Sequence, residues 1–219
     1  MKVMVPDPVL FDLPEGSRRL TRRIVLLTGA SGSGKTSLVR RLGIPTITLD
    51  DFYFDHDEPG LPERFGIVDW DDPATWNRRA AVEALLHVCR EGEADLPIYD
   101  IPTSTRTGNR RFIADGSPIV VAEGIFAAEI VRELQAEQVL AEAIVIARPR
   151  FTTFWFRLLR DLGEARKPPL TLVRRGWALL RAEPGQLKKW QAQGCRKLSP
   201  AKAEHCIRKL ISRPADPAA

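Results

Sequence analysis

Apolar positions along the chain come in short unbroken runs separated by polar or glycine-rich breaks. Ile24–Thr28 (IVLLT) is such a run and predicts a buried parallel strand. The stretch GASGSGKT follows, then SLVRRLG, whose pattern predicts a helix ended by Gly43. The β-branched segment 46–49 (TITL) predicts a second strand. Residues 50–76 are acidic and aromatic and are broken by Pro59, Gly60, Pro62 and Pro73, which predicts a long loop. A loop of that length inside a compact domain is usually functional. Over 77–91, Ala80, Ala81, Ala84, Leu85 and Val88 recur at helical spacing, and Gly92 closes the helix. Residues 118–122 (PIVVA) predict a strand, 127–140 a helix and 143–147 (AIVIA) another strand. Beyond them the pattern is helical over roughly 150–166, 170–182, 185–194 and 200–212, with Pro168, Pro169, Pro184 and Pro200 at the breaks. The first twenty residues are Pro-rich and irregular, and the closing RPADPAA reads as a frayed tail. Strands alternating with helices up to residue 147 predict an α/β fold with a mainly parallel sheet.

Composition narrows the class. The 219 residues are 44% hydrophobic and 28% charged, ordinary values for a soluble protein. No apolar run approaches the roughly 18 residues that span a bilayer, and no signal-peptide pattern follows Lys2, so no membrane role is expected. Cys89, Cys195 and Cys206 are odd in number and widely spaced, which fits neither a disulfide framework nor a metal pair and points to the cytoplasm. The net charge of +5 conceals an asymmetry. Residues 148–213 carry 17 Lys and Arg against 4 Asp and Glu, whereas residues 50–72 carry nine acids and one base, Arg64. A basic block of that size calls for an anionic partner, and charge alone does not choose between nucleic acid, membrane phosphate and a polyphosphate ligand.

The chemistry of one segment does choose. Gly29, Ala30, Ser31, Gly32, Ser33, Gly34, Lys35 and Thr36 complete GxxxxGK[ST] between an apolar strand and a helix beginning at Ser37. Glycines permit the positive φ values that turn successive amides toward one phosphate. The helix that follows offers unpaired N–H groups and its positive end. Lys35 would neutralise the β and γ oxygens, and Thr36 would ligate Mg²⁺. A nucleoside triphosphate is therefore the expected ligand. The chain lacks the NKxD of guanine-reading switch proteins, and its apolar strand ends in Glu123-Gly124 rather than the Asp-Glu of motor ATPases. LDDFYFD follows the second strand, which puts Asp50 at a carboxyl strand end beside the phosphate loop. A carboxylate there can take the proton of an attacking hydroxyl and help hold Mg²⁺.

These motifs, in order, resemble those of the uridine kinase family of P-loop kinases, with phosphoribulokinase and pantothenate kinase as neighbours. The resemblance runs from about Ile24 to Lys167 through GASGSGKT, DDFY, DWDDPATW, PIYD with Arg106, VVAEGIF and the Arg-rich RLLRD. It implies a P-loop NTPase three-layer sandwich, an ATP-dependent transfer to the 5′-hydroxyl of a pyrimidine nucleoside, and ATP and Mg²⁺ as cofactors. It implies Asp50 as base, with Thr36, Asp50 and Glu123 toward Mg²⁺. It implies Tyr53, Trp70, Asp71 and Tyr99 around the acceptor, and Arg157 and Arg160 as a lid over the triphosphate. Two departures stand out. Ser104 takes the place of the His that helps read the pyrimidine, which keeps open another hydroxyl metabolite such as a sugar, pantothenate or a modified nucleoside. Residues 168–213, a helical lid or extension, lie outside the family pattern, so the chain reads as one kinase domain with a core over about 22–167. Lys188, Lys189, Arg196, Lys197, Lys202, Arg208 and Lys209 read as a nucleic-acid surface, the rim of a homo-oligomer or plain solubility. A nucleotide-regulated nucleic-acid-binding protein is the reading from another class. The balance of motifs favours a small-molecule substrate over nucleic acid.

Overall fold

Four residues in a row, Ile24, Val25, Leu26 and Leu27, are wholly buried, because the strand that carries them has helices on both faces. The computed structural model describes residues 22–30, 32–64, 66–147 and 184–212. β1 (Arg23–Thr28) lies between β7 (Ile119–Glu123) and β8 (Leu140–Ile146), and β2 (Thr46–Thr48) lies outside β7. β9 (Arg196–Leu198) pairs with β8, which completes the five-stranded order β2-β7-β1-β8-β9, parallel throughout. Side chains alternate across this sheet. Ile24 and Leu26 join one core with α2 (Arg78–Glu91) and α3 (Val131–Ala136), whereas Val25 and Leu27 join another with α1 (Lys35–Leu42) and α5 (Pro200–Ile211). Helix α4 occupies 184–192 and sends Trp190 into the first core. The result is the expected three-layer α/β sandwich.

Two small antiparallel pairs stand beside the sheet. β3 (Glu63–Arg64) and β4 (Ile67–Val68) punctuate the acidic loop. β5 (Glu93–Asp100) and β6 (Thr105–Ile113) form a long hairpin from a stretch whose sequence predicted no element. It buries Ala94, Leu96, Tyr99 and Phe112 and leaves Ile98 and Ile113 to solvent.

Three expectations change. The helix expected over 127–140 is a 3₁₀ turn, Ala127–Ile130, followed by the six residues of α3. Gln138 adopts positive φ (58°) and the chain enters β8 at Leu140, three residues before the predicted strand. The helices expected over 185–194 and 200–212 form, and the break read between them holds β9, because the edge of β8 offers backbone partners that no periodicity signals. Residues 196–211, read as part of an extension, supply the fifth strand and a helix with Ala203 and Ile207 fully buried. Among the described C-terminal bases, Lys189 pairs with Glu129 at 3.0 Å, Arg196 with Glu142 of β8 at 2.6 Å, and Arg208 with Glu204 one helical turn back at 3.0 Å. The helices expected over 150–166 and 170–182 lie outside the described residues. No helix among the described residues is long and apolar enough to cross a membrane.

Candidate active site

β1 ends at Thr28, and the turn after it needs glycine for steric reasons. Gly29, Gly32 and Gly34 have φ of 147°, 80° and 97°. A β-carbon on Gly29 would stand 2.8 Å from the Ile146 carbonyl oxygen and 2.9 Å from Ser33 Oγ. Lys35 Nζ folds back to donate to the Gly29 carbonyl at 2.8 Å. The first turn of α1 carries no acid and no side-chain cap, so its N–H groups are available to an anion. Thr36 and Ser37 are exposed there. Ser33 is buried and its hydroxyl has no partner among the described residues. Ala30 continues the turn, and Ser31 lies outside the described residues. This backbone cradle fits a polyphosphate.

Parallel pairing brings the acids to the same end. Thr48 pairs with Glu123, so the 3₁₀ turn Leu49–Phe52 leaves β2 beside the end of β7. Trp76 Nε1 anchors that turn by donating to the Leu49 carbonyl at 2.7 Å. Burial raises the Asp50 carboxyl above its ordinary range against the pull of Lys35 and of a hydrogen bond from the Ile125 backbone, while Asp51 pushes it further up. Burial also raises Glu123, again opposed by Lys35 and reinforced by Asp50. Lys35 thus serves two charge-starved carboxylates. Among the described residues no three His, Cys, Asp or Glu side chains converge on a metal position. Asp50, Glu123 and the Thr36 hydroxyl are hard oxygen donors, and Mg²⁺ takes one or two carboxylates alongside phosphate and water.

Gly124 is packed against this acid. A β-carbon there would stand 2.9 Å from Asp50 Oδ1 and 2.9 Å from Leu49 Cβ, and the latter is tied to the backbone. Gly124→Ala is therefore expected to displace the Asp50 carboxylate. Turnover should fall about 10–100-fold because a displacement near 1 Å can cost that much. Steady-state kinetics with nucleotide affinity measured alongside checks this, with affinity expected to hold.

Beside Asp50 an aromatic wall assembles. Tyr53 meets Trp70 edge-on at 5.6 Å, Tyr99 at 5.8 Å and Phe126 at 5.8 Å, and Phe126 packs on Trp76 at 5.7 Å. The Tyr53 hydroxyl donates to the Trp70 carbonyl at 3.3 Å, and that of Tyr99 to the Phe54 carbonyl at 2.9 Å. Burial, then Asp50 and Asp71, raise the Tyr53 phenol, so Asp71 lies within electrostatic reach of the wall. Asp72 is a structural cap, accepting from the Ala74 N–H at 2.9 Å. Ser104 sits at positive φ (52°), and its hydroxyl donates to the Ile101 carbonyl at 3.3 Å. Arg106 enters through its backbone, which donates to Asp55 at 2.6 Å, while its guanidinium turns to Asn109. Asp50, Glu123, Lys35, Tyr53, Trp70 and Tyr99 thus gather in one region, whereas Arg157 and Arg160 lie outside the described residues. Phe126, Gly124 and the Ile125 amide were missed, although the EGIF string that closes β7 carries all three.

No protein-family model matches the chain. It is similar to the uridine kinase of Deinococcus deserti, 30% identical over 162 residues that cover 68% of this chain and 73% of that protein. It is also similar to the uridine kinase of Borreliella burgdorferi, 29% identical over 154 residues that cover 65% and 68%. That of Ureaplasma parvum is 28% identical over 149 residues, covering 64% and 70%. Among solved structures, a candidate fructose transport system kinase from Silicibacter sp. TM1040 superposes with a TM-score of 0.55 over 84% of this chain and 91% of that one. Its identity is 19%, so the likeness is one of fold.

Proposed function

We propose, given that the chain belongs to the uridine kinase family, that it transfers the γ-phosphoryl group of ATP to the 5′-hydroxyl of uridine or cytidine. One observation carries the reading: Asp50 lies within electrostatic reach of both Lys35 of the phosphate loop and Tyr53, whose ring packs on Tyr99 in the aromatic wall. The loop amides and Lys35 bind the phosphates, and Thr36, Asp50 and Glu123 are the oxygen donors that would hold Mg²⁺. When bound, that ion neutralises charge across the β and γ oxygens. Asp50 accepts the proton of the acceptor hydroxyl as its oxygen bonds to the γ phosphorus and the bond to the ADP oxygen breaks. A carboxyl raised by burial holds that proton better than an ordinary one, which suits it to the task. Tyr53, Trp70 and Tyr99 orient the acceptor ring by stacking, and Asp71 takes its ribose hydroxyls. Arg157 and Arg160, which lie outside the described residues, are the cations assigned to the charge of the transferring group.

A second reading concerns the acceptor alone. Ser104 replaces a base-reading His, and its short side chain is engaged by the Ile101 carbonyl and the Tyr99 hydroxyl, which favours a hydroxyl metabolite with no pyrimidine, such as a sugar. Coupled ADP release with ATP and Mg²⁺ over nucleosides, sugars and pantothenate decides. The leading reading expects uridine or cytidine to be turned over with the highest kcat/KM. A sugar in that place establishes the second reading, and silence with every acceptor, alongside salt-sensitive RNA or DNA binding, would sink both.

A further inference from the structure

Two adjacent carboxylates in the turn Leu49–Phe52 serve different partners. A 3₁₀ turn has three residues per turn, which sets consecutive side chains about 120° apart. Asp50 faces Lys35 and the Ile125 amide. Asp51 reaches the other way, to the β5–β6 hairpin. Its Oδ2 accepts from Arg110 Nη2 at 3.3 Å, and its carboxylate also accepts from the Tyr99 backbone N–H. The Tyr99 amide belongs to the place where the hairpin ladder slips: Ile98 faces Gly108, Tyr99 faces Arg106, and Thr107 is left over. A bulge of this kind re-aims a side chain. Here it sits where the Tyr99 ring turns in against Tyr53.

Further ties join the hairpin to the segment after the turn: Tyr99 Oη to the Phe54 carbonyl, the Arg106 N–H to Asp55, and the His56 N–H to the Ser104 carbonyl. Asp51 joins it at the residue next to Asp50. Its side chain is 21% exposed and that of Arg110 40%, so the pair is partly withdrawn from water. Arg110 stands in none of the motifs that the sequence displays.

We propose that Arg110, acting through Asp51, is a positioning residue that locks the hairpin wall bearing Tyr99 to the turn bearing Asp50. The pair sets where the acceptor ring sits relative to the group that takes its proton. This rests on the reading of Asp50 and Tyr99 given above. Arg110 lies on the acceptor side of the turn, so its loss misplaces the acceptor and leaves the phosphate loop as it was.

The test compares Arg110→Ala, Arg110→Lys, Asp51→Ala and the double Asp51→Ala/Arg110→Ala variant in the full chain, varying acceptor and ATP separately. Arg110→Ala is expected to cut kcat/KM for the acceptor about 10–100-fold, the cost of a near-1 Å misplacement, with KM for ATP unchanged. Arg110→Lys should recover most of the loss, and the double variant should be no worse than Asp51→Ala alone. Equal losses for ATP and acceptor, additive losses, or an Arg110→Ala variant indistinguishable from the unaltered chain would overturn the proposal. If the unaltered chain turns over no acceptor, the functional reading fails and amide hydrogen exchange judges the tie alone. Faster exchange at Tyr99 in Arg110→Ala supports it, and unchanged exchange there overturns it.

Discussion

Asp50→Asn should lower kcat by about 10²–10⁴-fold, the contribution of a positioned general base, while ATP binding measured without Mg²⁺ stays as it was. Asparagine keeps the shape of the side chain and its place beside Gly124, but it cannot take a proton. The nucleotide contacts assigned to the phosphate loop do not run through this group. ADP-release kinetics paired with calorimetric titration of a non-hydrolysable ATP analogue measure the two quantities. Turnover near that of the unaltered chain would remove Asp50 from the role of base. The same substitution should not weaken the fold. Burial holds the Asp50 carboxyl above its ordinary range, so the stability linked to it is fully present below the unfolded-chain value of about 3.9. That stability is lost as pH rises through the raised folded value. At pH near 7 the unliganded protein carries a buried carboxylate at a cost, and the Asn variant should melt no lower. Its advantage should shrink as the pH falls toward about 4. Thermal melts across that window check the sign.

Lys35→Ala should have the second large effect. A charge-assisted hydrogen bond contributes about 1.5–3 kcal/mol, so ATP affinity should fall by about one to two orders of magnitude. Turnover should fall with it, because the cation also stabilises charge on the transferring group. A further consequence follows from its neighbours. Lys35 lowers both Asp50 and Glu123 against the burial that raises them. Without it both acids rise further, and the unliganded variant should lose more stability at pH 7 than at pH 5. Lys35→Met keeps the stem and removes the charge, so it should reproduce both effects. Undiminished ATP affinity in both variants would take Lys35 out of the phosphate site.

Much of the molecule can be read from local features. The loop from Gly29 to Thr36 announces itself because positive φ at glycines, amides free to point inward and a following helix are written into eight consecutive residues. The strands at β1 and β7 are visible because a parallel strand covered on both faces must be apolar throughout, and β2 because its Thr-Ile-Thr run is β-branched. Asp50 is visible because it follows such a strand. Other features have no local signature. The hairpin Glu93–Ile113 contains Pro97 and a run of charged residues, and its inner face is recognisable only once Leu96 and Phe112 have a core to enter. β9 is three residues, two of them basic, and becomes a strand because β8 presents an open edge beside it. Gln138 ends a helix early because Val139 and Leu140 are required by the sheet.

The sequence alone therefore determined a parallel α/β fold around a triphosphate loop, with an acid at the neighbouring strand end and an aromatic segment behind it. Each of these depends on residues adjacent in the chain. The tertiary structure decided which acids share Lys35, that Gly124 leaves just enough room for Asp50, and that Asp51 turns away to Arg110 and the Tyr99 amide. Those outcomes join segments tens of residues apart, and a contact between them exists only after the sheet and the hairpin have brought their backbones together.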